Sequence, residues 1–173
     1  MRVPATGEPF RWRVSVAHID ASGPFSDFAA YHRKMVLLRG AGIDLRFADG
    51  TRKSLLHVGE LVEFDGAVPT YGELLNGPCV DLNLMILKSE RAAVRVERLS
   101  ESLAVGTRRG ETTLVFPIDS RLALRIETGE TALLEPWDLA VLTQCLGRID
   151  RLESMQPAAA SVFLATLKFM GGE

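Results

Sequence analysis

A chain of 173 residues, 47% hydrophobic and 24% charged, is enough for one globular domain or two closely packed halves with a sizeable core. Its formal net charge of −2 excludes the clustered basic excess of a nucleic-acid binder, and no run of about eighteen apolar residues offers a membrane span. The only cysteines, Cys79 and Cys145, lie far apart without a metal-ligand or nucleophile spacing, so buried thiols in a reducing compartment are expected.

The opening MRVPATGEPFRW lacks the apolar core of a signal peptide, which leads to the expectation of a cytoplasmic protein. Trp12, Val14 and Val16 then alternate with Arg13 and Ser15, the period of a half-buried strand. Ala21 to Pro24 is a break, followed by an aromatic-rich segment from Phe25 to Tyr31. Met35 to Leu38 is a continuous apolar run, as in a strand buried on both faces. Ile43, Leu45 and Phe47 alternate with Asp44 and Arg46, and Asp49-Gly50 closes the strand as a hairpin turn. Val62 to Phe64 is a further short strand, and Asn76-Gly77-Pro78 is a turn. Next, Val80, Leu82, Leu84 and Ile86 occupy one strand face while Asp81, Asn83 and Met85 occupy the other. The pattern leaves open which of these faces lines an interior.

The second half has the same rhythm. Val94 and Val96, Thr112 to Phe116, and Leu122, Leu124 and Ile126 read as strands, with Thr128-Gly129 as a turn and Leu139 to Thr143 as a return strand. Gly147 to Glu153 suits a helical turn or two, or an exposed crossing, and Ser161 to Phe169 a closing strand. One stretch occurs twice. LRFADGTRKSLLHVGELVEF (Leu45–Phe64) is echoed 79 residues later by LRIETGETALLEPWDLAVL (Leu124–Leu142). After a one-residue slip, Leu55-Leu56 sets against Leu133-Leu134, and Leu61 to Phe64 against Leu139 to Leu142. A fixed-period echo of short strands indicates one β unit used twice, so the chain is all-β with halves at 1–90 and 91–173.

Duplicated β halves with this hairpin rhythm resemble a bicupin, two jelly-roll-like barrels in one chain. Pro136-Trp137-Asp138 stands where a cupin's Pro-Gly-Asp turn would be, with Trp for the usual Gly. More closely, the chain resembles the HutD/Ves family. The carrying residues are Trp12 to Ser15, Gly23-Pro24-Phe25-Ser26 with Phe28, His32-Arg33 before Val36-Leu37-Leu38, Gly40 and Gly42, and Asp81-Leu82-Asn83-Leu84-Met85. The family usually has Asp where this chain has His32. The HutD resemblance implies a link to histidine catabolism, with an acid such as formiminoglutamate, urocanate or formate as ligand. The Ves branch implies only a stress connection.

Cupin spacing, counted back from Gly40, places the metal-binding carboxylate at Arg33 and the two histidines near Ser26 and Phe28. A guanidinium there repels a cation, and His18, His32 and His57 have no ligand-like spacing, so neither a metal nor another cofactor is expected. Arginine instead presents a planar fork that pairs bidentately with a carboxylate or other small anion. The candidate ligand-binding set is Arg33, Ser26, Phe25, Phe28, His32, Asp81 and Asn83, with no catalytic residue assigned. Against it stands Arg33 as a surface residue or a structural ion pair with Asp81. The expected function is an accessory or regulatory protein that binds a small carboxylate. The alternative is a cofactor-independent isomerase or lyase, with His32 as acid/base beside Arg33. A third possibility is an interaction protein dimerising through a sheet edge.

Overall fold

A computed structural model of the chain describes residues 10–126, 129–143, 149–155 and 159–169. Among these residues there are sixteen strands and no helix, hence no helix long and apolar enough to cross a membrane. Two compact units divide the chain, Met1–Glu90 and Arg91–Glu173.

The first unit contains β1 (Trp12–Ile19), β2 (Gly23–Pro24), β3 (Tyr31–Arg39), β4 (Ile43–Phe47), β5 (Arg52–Leu55), β6 (Leu61–Asp65), β7 (Thr70–Leu74) and β8 (Cys79–Leu87). They form two antiparallel sheets, β1-β8-β3-β6 and β2-β7-β4-β5, the order of a jelly roll. The second unit contains β9 (Arg91–Leu99), β10 (Ser102–Gly106), β11 (Glu111–Pro117), β12 (Leu122–Arg125), β13 (Thr131–Leu134), β14 (Ala140–Thr143), β15 (Ile149–Ser154) and β16 (Ala160–Lys168). Its sheets run β9-β16-β11-β14 and β10-β15-β12-β13, the first unit's order with every strand number raised by eight.

The repeated stretch is therefore β4 to β6, recurring as β12 to β14. Strand register corrects its alignment. Ile43 pairs with Leu55 and Leu122 with Leu134, so Leu55 and Leu134 are equivalent without a slip. Both are buried, whereas Leu56 and Leu133 are exposed. The slip lies after them, before the turn at Gly59 and Trp137. There the Gly59 amide donates to the Leu37 carbonyl at 2.8 Å and the Trp137 amide to the Pro117 carbonyl at 2.8 Å. Trp137 adopts the left-handed conformation, with φ 72, beside φ 89 for Gly59. That conformation costs a side-chain-bearing residue about 1–2 kcal/mol. An indole hydrogen bond to the Ile118 carbonyl at 3.1 Å helps to offset it.

Each unit has its own apolar core. Met35, Leu37, Ile43, Leu45, Phe47, Leu55, Val62, Phe64 and Cys79 cluster in the first unit. Leu99, Val105, Val115, Leu122, Leu124, Leu134 and Leu152 join Ala160, Val162 and Leu164 in the second. The strands absent from the sequence reading are the polar or glycine-bearing ones, such as RKSL in β5 and TYGEL in β7. Ile149–Ser154 is a strand rather than a helical turn, because it pairs with both β10 and β12. Cys145, Gly147 and Thr128 lie outside the described residues.

The loop between β2 and β3 is held by close backbone approach. The Phe28 amide donates to the Gly66 carbonyl at 3.2 Å, and the Gly66 amide to the Tyr31 carbonyl at 2.9 Å. A Cβ on Gly66 would sit 2.5 Å from the Phe28 oxygen and 2.8 Å from the Tyr31 oxygen. Backbone cannot yield as a flexible side chain does. Gly66→Ala is expected to cost roughly 2–4 kcal/mol in chemical denaturation, within the range of overpacking strain plus lost loop hydrogen bonds.

Candidate functional site

The site is built where β1, β8 and β3 lie side by side. Arg33 is opposite Met85, Met35 opposite Asn83 and Leu37 opposite Asp81. On the other flank of β8, Arg13 is opposite Met85, Ser15 opposite Asn83 and Ala17 opposite Asp81. Cross-strand partners share a sheet face, so these residues project together. Met35 and Leu37 belong to the unit's core, which identifies this face as the inner one. The orientation left open by the sequence is thus decided: Asp81 and Asn83 point inward. Leu82 and Leu84, on the opposite face, are also fully buried.

Where the inner face carries Arg33, Asp81 and Asn83, the interior is not filled. A cavity of about 520 Å³ is lined by these three together with Arg13, Ser15, Phe25, Ser26, Phe28 and Met85, and His18 and Asp20 stand at its exposed rim. A smaller cavity of about 120 Å³ lies on the other side of Arg33, against Phe64 and Val68. Arg33 is only 5% exposed, and its guanidinium carbon lies 5.2 Å from the Phe25 ring centre, 5.7 Å from Phe28 and 5.0 Å from Phe64. Such contacts are worth about 0.5–2 kcal/mol each. Gly72 makes room for one wall, since a Cβ there would lie 2.6 Å from the Phe25 ring.

The polar atoms of this site are left unsatisfied. Arg33 Nη1 donates a long hydrogen bond of 3.5 Å to the Ser26 carbonyl, but Arg33 Nε, Asp81 Oδ2 and Asn83 Oδ1 are buried without a partner. Each such atom costs about 1–3 kcal/mol. Arg33 takes part in none of the ion pairs among the described residues, so it is neither a surface residue nor closed onto Asp81. Burial lowers its pKa to about 10, against the pull of Asp81 and with the push of Arg13. Burial likewise raises the Asp81 carboxyl to about 7, although Arg33 and the Asn83 side chain favour the charged form. Burial also pushes the Cys79 thiol up to about 11, which removes it as a nucleophile near neutrality.

Phe25, Ser26, Phe28, Arg33, Asp81 and Asn83 come together as expected. His32 does not. It follows Tyr31 on β3 with the opposite side-chain direction to Arg33, pairs across to Asp65 and Ile86, and is exposed. Alternation along a strand makes neighbours face apart. Arg13 and Ser15 were missed because the apolar face of β1 was read as its only buried face. Their alternation with Trp12 and Val14, matched to Asn83 and Met85 on the adjacent strand, is the signal that places them. A cupin metal does not fit here: two guanidiniums face the cavity, and among the described residues no three His, Cys, Asp or Glu side chains converge.

In the second unit the equivalent positions are apolar or small. The turn hydrogen bonds equate Leu37 with Pro117, so register places Thr113, Val162 and Leu164 where the first unit has Arg33, Asp81 and Asn83. Val162 and Leu164 belong to that unit's core, and Thr113 Oγ1 bonds the Gly106 carbonyl at 3.2 Å.

Comparison with known proteins gives this geometry its relatives. The structure is similar to a conserved protein of unknown function from Pseudomonas aeruginosa PAO1, with TM-score 0.83 and 28% identity over 94% of this chain and 85% of that one. HutD from Pseudomonas fluorescens SBW25, determined in a formate condition, gives TM-score 0.79 and 26% identity over 99% and 86%. A cupin 2 conserved barrel domain protein from Leptotrichia buccalis, at TM-score 0.62 and 11% identity over 97% and 88%, shares the bicupin fold alone. In sequence, an uncharacterized 21.2 kDa protein of Pseudomonas putida in the hutC 3′ region is 32% identical over 133 residues, which are 75% of this chain. The match spans 66% of that relative's length, just under two thirds. The family model described as HutD matches residues 1–159, and on that match the chain belongs to the HutD family.

Proposed function

We propose that this HutD-family protein binds a small carboxylate through Arg33 and serves as an accessory or regulatory protein in histidine utilisation. The observation that carries the binding is a buried guanidinium whose Nε has no partner, facing a cavity of about 520 Å³. A carboxylate oxygen on Nε and Nη would make the bidentate pair that arginine favours, in a site whose low polarisability strengthens it. The aromatic rings of Phe25, Phe28 and Phe64 hold the guanidinium in place at little entropic cost. The pathway assignment draws on the relatives, one named HutD and one in a hutC region.

Calorimetric titration with formate, urocanate and formiminoglutamate tests the proposal. Saturable binding of at least one at millimolar concentration or below is expected. No heat from any of them at that concentration would remove the idea. The alternative of a cofactor-independent enzyme loses its acid/base with His32 turned away. Asp81, a cavity-lining carboxyl with its pKa near 7, is the buried group there that offers proton transfer, beside His18 and Asp20 at the rim. Turnover of a bound acid that disappears in Asp81→Asn while binding persists would favour catalysis over plain binding.

A further inference from the structure

Each sheet ends on two edge strands, and most of these are two to five residues long. Two are longer, β1 with eight residues and β9 with nine. Shortness blunts an edge, whereas a long edge free of proline and bulges is a template for another strand. β9 reads RAAVRVERL and pairs with β16 residue for residue from Arg91 to Leu99, with no register shift. Among the described residues, no strand pairs with its other edge and no backbone hydrogen bond from a turn or loop reaches it. Its side chains sort by face. Arg91, Ala93, Arg95 and Glu97 share one face, and Ala92, Val94 and Val96, all half-buried, share the other. Arg95 and Glu97 pair at 2.9 Å within the strand. Arg91 is exposed and takes part in none of the ion pairs among the described residues.

We propose that β9 is the edge through which two copies of this chain associate, antiparallel about a two-fold axis at Val94. The β9-β16-β11-β14 sheets of the two copies then join edge to edge. A two-fold axis normal to the sheet sets each residue against one of the same face. With Val94 on the axis, Arg91 of each copy lies opposite Glu97 of the other, Ala92 opposite Val96, and Val94 opposite itself. Opposite charges and β-branched pairs directly across an antiparallel ladder stabilise it, and like charges there oppose it. Neighbouring registers are worse. An axis at Ala93 sets Arg91 against Arg95, and an axis at Arg95 sets that residue against itself. An axis at Val96 opposes only Arg95 and Glu97, which already pair within the strand, sets Arg98 against Val94 and leaves Arg91 outside the paired residues. On β1 the single Arg13, with no acidic residue in the strand, selects no register by charge.

Sedimentation velocity of the full chain, from low micromolar to near-millimolar concentration, is expected to show a reversible monomer–dimer equilibrium. Arg91→Glu and Glu97→Arg each place like charges opposite one another twice in the dimer. Each is expected to weaken association about tenfold or more, with little change in melting temperature because both positions lie at the strand's solvated edge. Mixed in equal amounts, the two variants recover both opposite-charge pairs in a heterodimer, so association is expected to return to near the wild-type strength. Amide exchange in the wild type, slowed along β9 at the high end of the concentration range, locates the contact without any variant. A wild type that stays monomeric throughout, or a dimer that neither variant weakens, would overturn the proposal. So would a mixture that associates no better than its components, or β9 amides that exchange equally fast in monomer and dimer.

Discussion

Arg33→Met is expected to lose carboxylate binding by about a hundredfold or more, while the ligand-free protein becomes no less stable. The first half follows from charge-assisted hydrogen bonds to a buried guanidinium, worth about 1.5–3 kcal/mol each, of which a bidentate pair makes two. The second half follows from the apo geometry. Arg33 is 5% exposed, has an unpartnered Nε and sits among three aromatic rings. Methionine keeps the apolar stem and the volume, and removes a charge that burial already destabilises. The unliganded melting temperature should therefore hold or rise by a few degrees, on the order of 1 kcal/mol. Opposite movement of binding and stability is the mark of a residue kept for its ligand rather than for the fold. A large loss of apo stability, with binding unaffected, would make Arg33 a structural group.

The second large effect is a pH dependence seated at Asp81. Its pKa is raised from 3.8 to about 7 in the folded chain, first by burial, with Arg33 and Asn83 partly offsetting. The folded state thus holds a proton that the unfolded chain releases between those values, so stability falls as pH rises through about 7. The full contribution amounts to roughly 2–4 kcal/mol between about pH 4 and pH 8. Asp49, Glu60 and Asp65 are shifted the opposite way, and their contribution is confined to the acid end. Arg33 from β3 stays charged throughout this range, and Arg13 from β1 lines the same cavity. Denaturation of wild type against Asp81→Asn at both ends of the window isolates the effect: the wild type should lose stability toward pH 8 and the variant should not. Parallel curves would show that Asp81 is charged in the folded protein throughout. The same ionisation weakens a simple carboxylate on Arg33 as pH rises, because an anion then faces a second anion.

Much of this was legible in the residues, and the exceptions have physical causes. The duplication was readable because hairpin turns and apolar alternation survive in both copies, down to a tryptophan in a glycine's backbone conformation at position 137. The placement of the slip was not readable, since Leu55-Leu56 and Leu133-Leu134 are the same dipeptide and only cross-strand pairing shows which leucine is buried. Phe25, Ser26, Phe28 and Arg33 were found together because they lie close in sequence, in and after one loop. The inward direction of Asp81 and Asn83 was undecidable from β8 alone, where both faces are buried. Pairing β8 with β3 resolves it, because Asn83 and Asp81 fall opposite the core residues Met35 and Leu37. His32 was misassigned by treating sequence neighbours as spatial ones, which a strand forbids.

On the proposed reading, Arg33 meets the ligand directly through its unpartnered Nε. The ¹⁵N–¹H resonance of that Nε, identified by its absence from Arg33→Met, reports on it most directly. On titration with formate it is predicted to move saturably, with the same dissociation constant as the calorimetric heat, and to stay still with chloride at matched ionic strength. A resonance that ignores formate while the protein binds it, or that answers chloride equally, would contradict the claim.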